Sequence, residues 1–179
     1  SFTDDRPVWD KIAERLPITI SINVLAILVI FLLAVPIGII SAVKENSIFD
    51  RISTIFVFTG FAPPDFWLAL LLMSLFGVYL GWLPISGIKS IDFEELNLIE
   101  KIFDLGRHLI LPVFISAFGG LAGMSRYMRT SMLEVLSQDF VTTARSKGLS
   151  ETAVITRHAL KNALIPIVTV IGLQFGRLL

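Results

Sequence analysis

The chain has 179 residues, no formal net charge, 54% apolar residues and 17% charged ones, against about a quarter charged in an ordinary soluble domain. A neutral chain without a basic face argues against a nucleic-acid partner, and the lack of cysteine excludes disulfides, thiolate metal sites and a cysteine nucleophile. Mean hydropathy is +0.78, and the apolar residues fall into blocks, the pattern of an all-α chain built into a bilayer.

Residues 1–15 open on SFTDDRPVWD, with no basic start, no apolar run and no Met, so the start reads as a cut in a longer protein rather than a leader. Residues 16–43 carry no charge and exceed the roughly 20 residues a span requires. Residues 44–51 form a charged connection in which Ser47-x-x-Asp50 reads as a capping box for the next span. Residues 52–88 carry one charge, Asp65. At ~1.5 Å per residue, 52–82 is too long for one straight crossing of a ~30 Å core. Pro63-Pro64 supplies a break, so one helix is expected to end at Phe61 and another to begin near Asp65, with that acid in its first turn. Trp67 and Trp82 flank this second helix as interfacial aromatics do. After the connection 84–107, residues 108–125 form a third charge-free block and 162–176 a fourth, which reads as a span cut short.

Small residues recur at the spacing that lets membrane helices approach. Gly77 and Gly81, Gly119 and Gly123, and Gly172 and Gly176 form GxxxG pairs, and Ala34, Gly38 and Ala42 resemble them. Intrachain packing and contact with a second membrane subunit both fit this spacing.

The connections fall on two sides. Those at 44–51 and 126–161 hold eight Lys/Arg against five acids, whereas 1–15 and 84–107 hold six against nine. Excess Lys/Arg marks the cytoplasmic side, which assigns 44–51 and 126–161 to the cytoplasm.

The long connection carries the most local structure. Arg126 and Arg129 sit where basic side chains reach lipid headgroups. Ser137 is then expected to cap a helix with Asp139 in its first turn, and Phe140, Val141, Ala144 and the Lys147 stem to share its apolar face. Arg145 and Lys147 suit the last turn, Gly148 a left-handed cap, and Leu149 a return contact with the helix. Ser150 can cap a following helix that begins with Glu151. A short amphipathic helix of this kind can lie on headgroups, fill a groove in its own chain or dock on a partner.

Enzymatic readings lack residues. GxxxxGK[ST] and HExxH are absent, GGLAGMS reads as helix packing, and the apolar blocks hold no paired catalytic groups. His108 and His158 are 50 residues apart and, in this topology, on opposite sides of the membrane, so neither a catalytic residue nor a metal site is expected. His158 suits a hydrogen bond within the loop or to a partner, and Asn162, one turn on, the same junction. A channel or secondary-transporter subunit is the alternative class, one that normally shows intramembrane charges or midplane helix breaks.

FVTTARSKGLSETAVITRHALKNALIP closely resembles the cytoplasmic loop of ATP-binding-cassette importer permeases, and in particular of the dipeptide/oligopeptide/nickel branch. RPVWDKIAERLPITI, PIGIISAVKENSIFDR, PPDFWLALLL, LGWLPISG, RHLILPV and SMLEVLSQDF resemble that branch's landmarks in the same order. The general family pattern is Glu-Ala-Ala, three residues, Gly, nine residues, then Ile-x-Leu-Pro. Here Thr142-Thr143-Ala144 precedes Gly148, and Ala144, Gly148 and Leu160 match while the Glu and first Pro do not, as is usual in the peptide branch; Pro166 follows later. The resemblance implies a type I importer permease-like bundle, residues 1–179 being a permease domain truncated at both ends with about four of six spans present.

It further implies that Phe140, Val141, Thr143, Ala144, Arg145, Lys147, Gly148, Leu149, Ser150, His158 and Asn162 belong to a loop gripped by an ATPase. The implied partners are a second related permease, two cytoplasmic ATPase subunits that hold ATP and Mg, an extracytoplasmic substrate-binding protein and membrane lipid. The implied setting is a bacterial or archaeal cytoplasmic membrane. Peptides of a few residues are the implied cargo, with nickel chelates, glutathione or sugars as alternatives.

Overall fold

The computed structural model describes residues 7–61 and 64–175. Within them every regular element is helical. In chain order these are α1 (Val8–Val43), α2 (Ile48–Phe61), α3 (Asp65–Leu72), α4 (Leu98–Leu136), α5 (Asp139–Ser146), α6 (Glu151–Ala153) and α7 (Leu160–Phe175). α3 continues as π-helix over Met73–Tyr79, and α6 passes through a π-helical stretch, Val154–Ala159, into α7. Val8–Val43, Leu98–Leu136 and Glu151–Leu173 are long and apolar enough to cross a membrane, and Asp65–Tyr79 is a shorter apolar helix.

The expected break is present: α2 ends at Phe61 and α3 begins at Asp65. Pro63 lies outside the described residues. Other boundaries differ from the hydropathy blocks. α4 runs for 39 residues, through Pro112 and well beyond the charge-free stretch 108–125. Its start is fixed by a reciprocal capping box that hydropathy does not reveal. The Glu100 N–H donates to Asn97 Oδ1 and the Asn97 N–H to Glu100 Oε2, each at 3.0 Å.

Contacts divide the described chain into two units, residues 7–26 with 65–116, and residues 27–61 with 117–175. In the first, the segment after α3 is tied to the start of α4. Arg107 Nη2 donates to the Trp82 carbonyl at 2.7 Å, the Ser90 N–H and hydroxyl both reach the Asp104 carboxylate, and Lys89 pairs with Glu94 at 2.6 Å. Gly77 sits where a Cβ would meet Ile85 Cγ1 at 2.7 Å, so its lack of a side chain admits the 83–85 segment.

The second unit packs the end of α1 against α4, and α4 against α7. Ala34, Met128, Met132, Ala163 and Ile167 are fully buried. Ser131 Oγ donates to the Ala163 carbonyl at 2.9 Å, in the turn before Pro166. Gly38 is the close-approach residue, since a Cβ there would meet Met128 Cβ at 2.6 Å and the Ser125 carbonyl oxygen at 2.8 Å. The Ala34, Gly38, Ala42 series is therefore an intrachain packing face, with Ala34 and Ala42 buried.

The GxxxG pairs fare differently. Gly81 lies beyond the α3 helix at φ +64°, so Gly77 and Gly81 do not share a helix face. Gly119 and Gly172 face open space, whereas Gly120, outside the motif, meets Ile30 Cδ1 at 2.5 Å. Gly123 is half-buried in α4, and Gly176 lies outside the described residues.

A buried ion pair joins three helices of this unit. Asp50, in the first turn of α2, is 5% exposed. Its carboxylate accepts from Arg129 Nε at 2.7 Å and Nη2 at 2.9 Å, from Ser41 Oγ at 2.5 Å and from the Asn46 N–H at 2.9 Å. Asn46 reaches this position at φ +62°, a conformation Asn tolerates better than most residues. The expected Ser47–Asp50 box is thus half formed. Ser47 Oγ accepts the Asp50 N–H at 3.2 Å, but the Asp50 side chain turns inward instead of reaching back to Ser47. Nor does Arg129 reach for headgroups; it spends its guanidinium on Asp50, with Glu45 3.7 Å away. The hydrogen bond from Arg129 holds the Asp50 carboxyl far below the usual carboxylate range, with Ser41 and Asn46 adding to it against the cost of burial.

Two outcomes follow. Gly38→Val should lower stability by about 1–3 kcal/mol through overpacking, read as a fall in melting temperature in detergent, while Gly119→Val should change it little. Asp50→Asn should cost about 2–4 kcal/mol at neutral pH, because Arg129 loses its partner. A depressed native pKa makes this contribution full above the unfolded value of about 4 and progressively lost below it. Denaturation profiles against pH should therefore converge for wild type and Asp50→Asn as the medium is acidified below that value.

Candidate partner-coupling site

The segment 137–162 forms a helical hairpin fastened to the end of α4. Ser137 is not its cap, because Ser137 Oγ donates back to the Glu134 carbonyl at 2.8 Å in the α4 terminus. The N-cap of α5 is Gln138, whose backbone is extended and whose side chain makes no capping bond. The carbonyl of Gln138 accepts from the Val141 and Thr142 N–H groups at 3.0 and 3.3 Å, which starts the helix without side-chain help.

The inward face of α5 is narrower than expected. Val141 and Ala144 are buried against Val154, with Val135 and Leu136 from α4 packed on the same cluster. Phe140 is 43% exposed, and Lys147 is exposed at the C-cap, so neither belongs to the buried face. Leu149, expected to fold back, is also 43% exposed and lies outside the buried cluster. Thr143 is exposed and bonds the Asp139 carbonyl one turn back at 2.8 Å.

The helix end follows the expected chemistry. Gly148 has φ +80°, the Leu149 N–H bonds the Ala144 carbonyl at 3.4 Å, and the Gly148 N–H bonds the Arg145 carbonyl at 2.9 Å. These two bonds are the paired closure of a Schellman motif, which requires a left-handed residue at the Gly148 position. Ser150 is extended and its Oγ accepts the Ala153 N–H at 3.4 Å, capping α6. Arg145 clamps the turn from outside, its Nε and Nη2 lying 2.9 and 3.4 Å from the two Glu151 oxygens.

Beyond the turn, the π-helical stretch carries His158. Its extra residue per turn appears in the Leu160 N–H, which bonds the Ile155 carbonyl five residues back. Val154 and Ala159 are buried from this stretch and His158 is half-buried. His158 and Asn162 do share a junction, through the backbone: Asn162 Nδ2 donates to the His158 carbonyl at 2.8 Å. Phe140, Thr143, Lys147, Leu149 and Ser150 thus form the outward set, while Val141 and Ala144 hold the hairpin to its support.

The family model described as "binding-protein-dependent transport system inner membrane component" matches residues 34–179. The chain is 41% identical to the oligopeptide transport system permease protein AppB of Bacillus subtilis (strain 168), covering 94% of this chain and 52% of the relative. It is 40% identical to the di/tripeptide transport system permease protein DppB of Pseudomonas aeruginosa (strain UCBPP-PA14), covering 100% and 57%. It is 38% identical to the dipeptide transport system permease protein DppB of Escherichia coli (strain K12), covering 97% and 56%. The chain spans about half the length of the curated relatives it matches. Long apolar helices and this match together make it a multi-pass membrane protein that belongs to the binding-protein-dependent transport system inner membrane component family.

Proposed function

We propose that the protein is a permease subunit of an ATP-driven importer of short peptides and does no chemistry of its own. The observation that carries the reading is the α5–α6 hairpin: a short helix locked from behind by Val141 and Ala144 and closed by Gly148 and Ser150. The naming of its relatives as oligopeptide, dipeptide and di/tripeptide permease proteins supports the choice of cargo.

In this reading Phe140, Thr143, Lys147 and Leu149 present the surface that enters a groove on a cytoplasmic ATPase, and His158 and Asn162 support its base. Two such ATPases would bind ATP and Mg. A second related permease would complete the path, and an extracytoplasmic binding protein would deliver the peptide. The excess of Lys/Arg in 44–51 and 126–161 supports a cytoplasmic position for the hairpin.

Gly148→Arg places a side chain at φ +80°, a conformation that costs an L-residue about 1–2 kcal/mol and unseats the turn. With the intact transporter, this substitution should cut peptide-stimulated ATP hydrolysis by about tenfold or more while leaving the protein in the membrane; unchanged stimulation would refute the coupling role. Lys147→Cys should react with a membrane-impermeant maleimide in inside-out vesicles and not in intact cells, and labelling from outside would reverse the orientation.

A further inference from the structure

A recess of about 280 Å³ opens in the second unit, among the end of α1, the middle of α2 and residues 125–130 of α4. Its walls combine apolar Ile37 and Val57 with hydroxyls and two guanidiniums, Arg126 and Arg129. The sequence fixes its depth. Ser41 lies two residues before the end of the charge-free block 16–43, and Arg126 directly follows the charge-free block 108–125. Both walls therefore stand where hydrocarbon gives way to headgroups.

The polar groups are unequally spent. Ser41 donates its proton to Asp50 and lies 3.2 Å from the Ser53 hydroxyl, so these two buried hydroxyls are bonded to each other; Thr54 donates to the Asp50 carbonyl and Thr130 to the Arg126 carbonyl. The exposed oxygens of Thr54 and Thr130 keep acceptor lone pairs and call for a ligand that brings its own donors. Arg129 is neutralised by Asp50. Among the described residues nothing pairs with the Arg126 guanidinium, which is exposed at the recess. The Arg126 cation beside the Thr54 and Thr130 oxygens, with apolar Ile37 and Val57 in the same recess, matches an anion joined to a donor-bearing group and an apolar tail.

We propose that this recess binds one phospholipid whose headgroup carries hydrogen-bond donors, an ethanolamine ammonium or a glycerol hydroxyl. The phosphate pairs with Arg126, the donors meet the oxygens of Thr54 and Thr130, and an acyl chain runs along Ile37 and Val57. This assignment needs only the membrane setting and stands apart from the importer reading.

The test is native mass spectrometry of the full-length permease in its complex, titrated in detergent with dioleoyl phosphatidylethanolamine, phosphatidylglycerol or phosphatidylcholine. One saturable adduct is expected, with the first two lipids binding about tenfold or more tightly than phosphatidylcholine, whose headgroup has no donor. Arg126→Ala, at an exposed position, should weaken binding about tenfold, and Thr54→Trp, also exposed, should fill the recess and abolish the adduct. Arg157→Ala, an exposed cation outside the recess, should leave binding unchanged, and inorganic phosphate at equal concentration should neither bind nor compete. Equal affinity for phosphatidylcholine, insensitivity to both recess variants, an equal loss in Arg157→Ala, or displacement of the lipid by inorganic phosphate would each overturn the proposal.

Discussion

Removing a carboxylate from water costs several kcal/mol unless charge and hydrogen bonds replace the lost hydration. Asp50 meets that condition with four donors drawn from three places: the end of α1 (Ser41), the 44–47 turn (Asn46) and α4 (Arg129). Each of these donors is held by its own local chemistry. Ser41 stands on a helix whose neighbouring Gly38 lets α4 approach, Asn46 takes a left-handed backbone, and Arg129 is one turn along from Ser125. The pair is weak grounds for added stability against an apolar replacement, but breaking it strands Arg129. Its structural consequence is registration: α2 can leave α1 in one direction only if Asp50 faces Arg129.

Registration at that point governs what α4 presents further on. Met128 and Ser131 are the residues on either side of Arg129 along the buried face. Met128 packs at Gly38, and Ser131 ties α4 to the Ala163 carbonyl of α7. A rotation of α4 that freed Arg129 from Asp50 would also move both contacts. Val135 and Leu136 follow on the same helix and form the platform for α5. At ~1.5 Å per residue, 39 residues are nearly twice what a ~30 Å hydrocarbon core needs. The surplus is shared between the charged first turns, 98–107, and the final stretch, 126–136, on which the hairpin is mounted.

Hydropathy and capping chemistry made much of this legible. The break before Asp65, the left-handed Gly148, the Ser150 cap and the Ala34–Gly38–Ala42 face all rest on interactions within a few residues, or on a spacing whose partner is another apolar helix. The Asp50–Arg129 pair was not legible, because its partners are 79 residues apart and each has a satisfying local explanation, a capping box and a headgroup contact. The remaining signal was that both charges border long uncharged blocks, where an opposite charge is the cheapest neighbour. Gly119 shows the reverse failure. GxxxG spacing marks a face but does not say which residue of a Gly-Gly pair meets the neighbour, and Gly120 is the one beneath Ile30. The inward face of α5 is narrower than its pattern predicts for a related reason: on eight residues, one residue of phase decides whether Phe140 or Val141 turns inside.

An eight-residue helix is not stable by itself in water, since nucleation costs more than its few hydrogen bonds return. α5 persists because three independent restraints act at different points. Val141 and Ala144 pack on Val135, Leu136 and Val154; the Schellman turn at Gly148 fixes its end; and Arg145 reaches across to Glu151. The last is an exposed pair worth under ~1 kcal/mol, so the packing and the turn dominate. Phe140 and Leu149 lie outside the buried cluster, so both are exposed on a body held by that packing and that turn. In the proposed coupling role, a load applied there would pass through Val141 and Ala144 into the end of α4, and through the Ser150 cap into the π-helical stretch and α7. Displacing the hairpin without moving those two helices would require breaking the Val141–Val154 cluster, whose burial is the hairpin's main source of stability.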